Sequence, residues 1–256
     1  MLHRHALLPL ADWFLDDHWP SISCPICQRS TVQRVGKTVT VPSTQTAYQA
    51  VVNDGYLDPD ILHGTFSSML RCSDPTCTAQ LTIAGDWFVS DESNELDGPK
   101  WGENLRVRYI SPALHTVAPI PGTPDPVTAA IGAANELIWI NPSAAANQLR
   151  QAVEILLTHL KVRKMQPANN KRRLTTHARI DALRPTYPDV ADALEAVKWI
   201  GNNGSHESAV TINYVLEGAR YLELALRRLY DRTDEQLLKS AVKVNARKGR
   251  PARSQK

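Results

Sequence analysis

Four cysteines in two close pairs carry the clearest chemical signal in the chain. Cys24 and Cys27 flank Pro25 and Ile26, while Cys72 and Cys77 flank Ser73, Asp74, Pro75 and Thr76; the chain holds no other cysteine. Two thiolates separated by a tight turn reach one tetrahedral Zn²⁺ at about 2.3 Å, and a second such pair closes a four-sulfur site. Pro25 and the Asp74–Pro75 step restrict the backbone as such turns require. The spacing therefore predicts a structural Zn²⁺ held by Cys24, Cys27, Cys72 and Cys77, with no open position for hydrolysis. Other readings stand beside it: a disulfide framework, which a reducing compartment opposes, a redox CxxC, which lacks a βαβ context, and unrelated thiols, which have no reason to pair so closely. His18 or His63 can replace one sulfur without changing the argument.

A second group lies near the other end of the chain. Gly201, Asn202, Asn203 and Gly204 interrupt an otherwise helical pattern just after Lys198 and just before His206. Glycine costs about 1 kcal/mol in a helix interior, so the pattern predicts a specific backbone shape. His206 then falls near the start of the next helix, where free N–H groups attract an anion and keep an imidazole neutral. A neutral histidine beside a phosphate is a candidate general base. The plainer alternative is a histidine that satisfies the helix end.

Stepping outward, the first third reads as strands at 37–41, 65–71, 80–83, 86–89 and 105–110, rich in β-branched and aromatic residues. Pro112, Pro119, Pro121, Pro124 and Pro126 then form a semi-rigid connector. Beyond it the apolar period changes from two to about 3.6. Asp125 with Pro126, and Asn141 with Pro142, open two helices; the second carries Leu149, Val153, Leu156, Leu157 and Leu160 as one stripe. A third helix is expected at 174–183. A fourth carries Val190, Leu194, Val197 and Ile200 up to Gly201, and a fifth runs over 208–230. The fold class expected is α+β: a zinc-stabilised β-ribbon domain at 1–118, an antiparallel helical bundle at 119–235, and a basic disordered tail at 236–256.

Charge is unevenly spread. Residues 239–256 hold seven Lys or Arg and no acid, while the first 238 residues hold 22 basic and 26 acidic side chains, a balance of −4. A mildly acidic body with a basic end points to a polyanionic partner, DNA or RNA; a solvated terminus is the alternative. Arg247, Lys248, Gly249, Arg250, Pro251 and Arg253 resemble an AT-hook, in which glycine permits close approach, proline stiffens the strand and arginines enter a narrow minor groove. No apolar run is long enough for a spanning helix, and the first residues lack the pattern of a secretory signal, so a cytoplasmic protein with no membrane contact is expected.

The order of these features resembles a known family. A cysteine-pair ribbon is followed by Arg108, Tyr109, Ile110, Ser111 and Pro112, then a helix with Arg150 and Glu154, the Gly201-Asn202-x3-His206 motif, and a long helix ending at Tyr230. Over roughly 119–230 this is similar to domain of unknown function 4145, an all-helical family related to the HEPN (higher eukaryotes and prokaryotes nucleotide-binding) superfamily. The resemblance implies a HEPN-like bundle, homodimerisation through the helices, and a role beside anti-phage or restriction systems with a defence-system partner protein. Active HEPN ribonucleases pair an arginine and a neighbouring polar residue with a histidine. Carried over, Asn202 matches the polar residue and His206 the histidine, but Gly201 occupies the arginine position. Lys198, one helical turn before Asn202, is then the cation expected to stabilise charge, without the planar fork of arginine. The function expected is a nucleic-acid-associated accessory or effector protein acting through the zinc domain and basic tail. The alternatives are a metal-independent endoribonuclease using His206, Asn202 and Lys198, and a protein-interaction module without nucleic-acid contact.

Overall fold

The structure, a computed structural model, describes residues 7–43, 62–92, 100–166, 172–203 and 210–248. Among them the chain begins with a short 3-10 helix, Leu8–Ala11. Six strands follow: β1 (Phe14–Leu15), β2 (Ile22–Ser23), β3 (Thr31–Pro42), β4 (His63–Cys72), β5 (Gln80–Asp91) and β6 (Trp101–Ser111). They form one antiparallel sheet in the order β1-β6-β5-β4-β3-β2.

Alternation explains which face is buried. On β4, Phe66, Ser68, Leu70 and Cys72 point inward while Met69 is exposed; Leu81, Ile83 and Trp87 on β5 and Leu105, Val107 and Ile110 on β6 face the same core. The outer face leaves Val39, Val41, Met69 and Tyr109 exposed. The segments 80–83 and 86–89, expected as two strands, are one. The chain passes through a register shift at Ala84 and Gly85, where a β-carbon on Gly85 would stand 1.9 Å from the Arg106 carbonyl oxygen. Only glycine lets the two backbones close there. β1 and β2 are two residues each, too short to show a period, and were not expected from the pattern.

Six helices are described: α1 (Asp125–Leu137), α2 (Pro142–His159), α3 (Thr176–Leu183), α4 (Pro188–Asn203), α5 (Ile212–Tyr230) and α6 (Thr233–Ala246). Asn141 caps α2 by accepting from Ala144 N at 3.0 Å, with Pro142 in the first turn as read from sequence. Thr175 and Thr211 cap α3 and α5 in the same way. At α1 the cap differs: Pro124 holds the cap position and Asp125 already lies in the first turn. α2 is central, packing on α1, α4 and α5, with Leu149, Val153, Leu156 and Leu157 fully buried.

Three further differences from the sequence reading bear on function. Gly201 does not stop α4, which continues to Asn203. The proline-rich connector is packed rather than simply extended: Leu114, Val117 and Ile120 are buried. Its backbone is tied to the helices by Thr116 N to Asn135 Oδ1 (3.1 Å) and Ala118 N to Glu223 Oε2 (3.0 Å). Finally, disorder expected from 236 onward differs from the structure, in which α6 runs to Ala246 after a break at Asp231, whose carboxylate accepts from Thr233 N at 2.9 Å. Charge composition favours disorder there. The apolar residues Leu237, Leu238, Ala241, Val242 and Val244 nevertheless recur at helical spacing, although Leu237, Leu238, Val242 and Val244 stay exposed.

Candidate metal centre and the α2–α4 motif

The sheet brings the two cysteine pairs together. β2 pairs with β3 (Ile22 opposite Val32), and β3 with β4 (Val32 opposite Cys72), so the turn after β2 lies beside the turn after β4. The first turn is closed by Gln28 N to Cys24 O (3.0 Å) and Cys24 N to Ser30 O (2.8 Å), with Gln28 at φ 55°. The second is closed by Cys72 N to Ala79 O (2.8 Å) and by Asp74, whose carboxylate accepts from Thr76 N and its hydroxyl. Arg29 bridges the two turns through Asp74 at 2.9 Å.

All four Sγ atoms lie within 4.8 Å of one another, with Cys24 to Cys77 at 3.9 Å and Cys27 to Cys72 at 3.7 Å. Sulfurs at about 2.3 Å around one ion sit about 3.8 Å apart in a tetrahedron. The cluster matches that spacing and is far too open for a disulfide, whose S–S bond is about 2.05 Å. Electrostatics favour a cation: a backbone N–H from Arg29 pulls the Cys27 thiol down to about 6, while burial pushes Cys72 up to about 12. Cys77 gains a hydrogen bond from Ala79 N–H that favours the thiolate, but burial and the Cys27 and Cys24 sulfurs outweigh it and raise its pKa. Four thiolates cannot coexist there without positive charge, which one metal ion would supply. Neither histidine considered as a substitute joins the cluster. His18 is exposed beside Asp17, and His63 begins β4, at the opposite end from Cys72.

In the helical unit, Gly201 and Asn202 lie in the last turn of α4, and Gly201 rests directly on α2. A β-carbon there would meet Arg150 Cβ at 2.6 Å and Arg150 Cδ at 3.3 Å. Arg150 in turn donates from Nη1 to Glu154 at 2.8 Å and from Nε and Nη2 to Asn147. Lys198 is buried, its Nζ 3.3 Å from His177 Nδ1, 3.4 Å from Glu195 Oε1 and 3.6 Å from the Trp199 ring centre. Burial alone would raise the Glu195 pKa, but the hydrogen bond and charge of Lys198, with His177 and Arg184, hold it below the usual range. His177, Asp181 and Glu195 also gather within 4.8 Å, yet this group already holds the Lys198 ammonium. His206 lies outside the described residues.

Of the tail residues, Arg247 caps α6 and Lys248 is exposed with φ 50°; Gly249, Arg250, Pro251 and Arg253 lie outside the described residues. On α6, Lys239 and Lys243 precede Arg247 at intervals of four, which places the three cations along one side of the helix. A further basic stretch carries no motif that marks it in the sequence. From 155 to 180 there are seven Lys or Arg and no acid. A running charge count would have found it.

Residues 132–247 are similar to a family described only as a domain of unknown function, DUF4145. Residues 12–109, the segment holding the sheet and all four cysteines, are similar to a second domain of unknown function, DUF8608. No curated protein and no solved structure matches the chain.

Proposed function

We propose that the protein is a nucleic-acid-associated accessory or effector whose N-terminal sheet is held by a structural Zn²⁺ on Cys24, Cys27, Cys72 and Cys77. The observation that carries the nucleic-acid reading is the exposed row of Lys239, Lys243 and Arg247 on α6, which leads into Lys248 and the basic residues that follow. Cations repeated along one side of a helix suit a linear polyanion better than a compact acidic ligand. The anti-phage setting and a HEPN-like dimer belong to this proposal and rest on the resemblance of the helical segment. Among the described residues no helix is long and apolar enough to cross a membrane.

The test is a truncation after Leu238, compared with the full chain for binding to labelled duplex DNA and single-stranded RNA across a salt series. The expected result is weaker binding with a flatter dependence of log K on log salt, each lost phosphate contact removing about 0.7–0.9 from the slope. Unchanged affinity at low salt would remove the tail from the function.

One observation favours a second reading, metal-independent RNA cleavage. The ammonium of Lys198 is committed to Glu195 and Trp199, but Arg150 packs against the Gly201 position. In this reading His206 acts as base or acid, Asn202 orients the phosphate, and Arg150 supplies the planar donor fork. Cleavage of end-labelled RNA in EDTA, lost in His206→Ala and in Arg150→Lys, with 2′,3′-cyclic phosphate ends, is the result it requires.

A further inference from the structure

Beside Arg150 the surface opens into a cleft of about 540 Å³ between α2 and α3, lined by Arg150, Glu154, Thr158, Lys164, Arg173 and Arg179. This is within the size range of small-ligand sites, roughly 300–1,000 Å³. Arg179 forms its inner wall and is only 6% exposed. Its Nη1 donates to Glu154 O (3.2 Å), and its Nη2 to Thr158 Oγ1 (3.1 Å) and Val162 O (3.3 Å). None of these acceptors is a carboxylate, and its Nε is buried with no hydrogen-bond partner. Buried guanidinium groups are normally paired, because an uncompensated charge in the interior costs several kcal/mol.

The one carboxylate in the cleft, that of Glu154, favours the Arg179 charge at a distance but accepts no hydrogen bond from it. Its Oε1 instead accepts from Arg150 Nη1 (2.8 Å) and from the Thr176 hydroxyl (2.9 Å). Opposite Arg179, the rim is built rather than loose: Leu174 N donates to Lys164 O (2.8 Å), Gln166 N to Arg172 O (2.9 Å), and Met165 bridges Arg173. This holds Lys164 and Arg173 at the mouth, and neither has an ion pair among the described residues. Ile155 and Leu174 add apolar wall.

We propose that this cleft binds a phosphodiester of a single-stranded nucleic acid, with Arg179 as the buried anion partner and Lys164 and Arg173 closing on it from the rim. A single phosphate with its sugar fits the cleft. Lys161, Arg163 and Arg172, close in sequence to lining residues, are exposed cations too, more than one phosphate can use, so a strand fits the surface better than a free nucleotide. Arg150 lines the cleft and also backs Gly201, which puts the bound phosphate next to the Gly201-Asn202 motif. The choice of a strand rests on the nucleic-acid reading above; the choice of a phosphate does not.

The test uses the full chain, a fluorescent 12-nucleotide RNA, and separately AMP and pyrophosphate followed by thermal shift. The exposed pair Lys164→Gln and Arg173→Gln is expected to weaken RNA binding about tenfold or more with Tm unchanged. The salt slope should fall by about 1.4, two contacts on a single strand. Arg179→Met, if folded, is expected to lose RNA binding as well; the surface pair decides the matter if it does not fold. RNA affinity unchanged in the surface pair but lost on tail truncation overturns the cleft and leaves the nucleic-acid reading standing. If the unmodified chain binds no RNA, the strand is lost from the cleft, and if it binds no duplex DNA either, the nucleic-acid reading fails too. A Tm rise with AMP or pyrophosphate that Arg173→Gln abolishes would then keep the phosphate site with a free nucleotide as its source, and no rise would overturn it.

Discussion

Gly201 on α4 and Arg150 on α2 are so closely apposed that a β-carbon on the glycine would stand 2.6 Å from Arg150 Cβ and 3.0 Å from the Ala146 carbonyl oxygen. The glycine that looks like a helix breaker in the sequence is the point at which two helices touch.

Replacement of that glycine therefore has a definite expected sign. Gly201→Ala gains about 1 kcal/mol of helix propensity but overpacks a contact made by a Cβ and a backbone oxygen, at about 1–3 kcal/mol. A fall in Tm of a few degrees is expected for a chain of this size. Gly201→Arg, which would place an arginine where the HEPN resemblance expects one, should lower Tm further without creating ribonuclease activity. A Tm at or above the original in Gly201→Ala would show that α2 and α4 do not meet here.

Metal content is the second expectation. Purified protein should carry close to one Zn²⁺ per chain, and Cys24→Ser or Cys72→Ala should lose it. Structural Zn²⁺ binding in small zinc domains is worth about 10–16 kcal/mol, so removal by chelator should unfold the sheet while far-UV helical signal persists. Elemental analysis well below one ion per chain would refute the metal centre.

Two carboxylates tie acid sensitivity to the sheet. Burial by itself would raise the Asp16 pKa, but hydrogen bonds from Thr38, Arg34 and Trp19 outweigh it and lower the value. Asp86 is lowered in the same way by Arg106 and Arg108 against the effect of burial. Their folded values lie below the unfolded one, about 3.9. Their stabilisation is thus fully present above about pH 5 and is lost as pH falls through the folded values. Urea unfolding from pH 6 to pH 3 should show a steeper decline for the original chain than for Asp86→Asn. Equal declines would remove Asp86 from the account, whatever metal loss adds in both proteins.

Lys198 is expected to matter for stability. Lys198→Met keeps the volume but removes the ammonium over Trp199 and its bond to Glu195, which retains Arg184 at 2.6 Å. A loss of about 1–2 kcal/mol, between the values of an exposed and a desolvated cation–π contact, is expected, with a shift in Trp199 fluorescence. Unchanged Tm and emission would show that the ammonium does not sit there.

The four long strands, the helices α1 to α5 and the cysteine donor set were legible in the sequence. Alternating β-branched residues located the four long strands, caps at Asn141 and stripes such as Leu149, Val153, Leu156 and Leu157 located the helices, and two spaced cysteine pairs announced a cluster. These signals are local, because each depends on residues a few positions apart and on a fixed backbone period. Tertiary structure alone decided what depends on distant partners. The fusion of two expected strands into β5 needed the close approach of Arg106 to Gly85, and the continuation of α4 through Gly201 needed Arg150. The burial of Lys198 under Glu195 and Trp199, and of Arg179 in the wall of a basic cleft, followed from packing α2, α3 and α4 together. No period or propensity encodes that, because an arginine or lysine reads the same in sequence whether its charge faces water or a cavity.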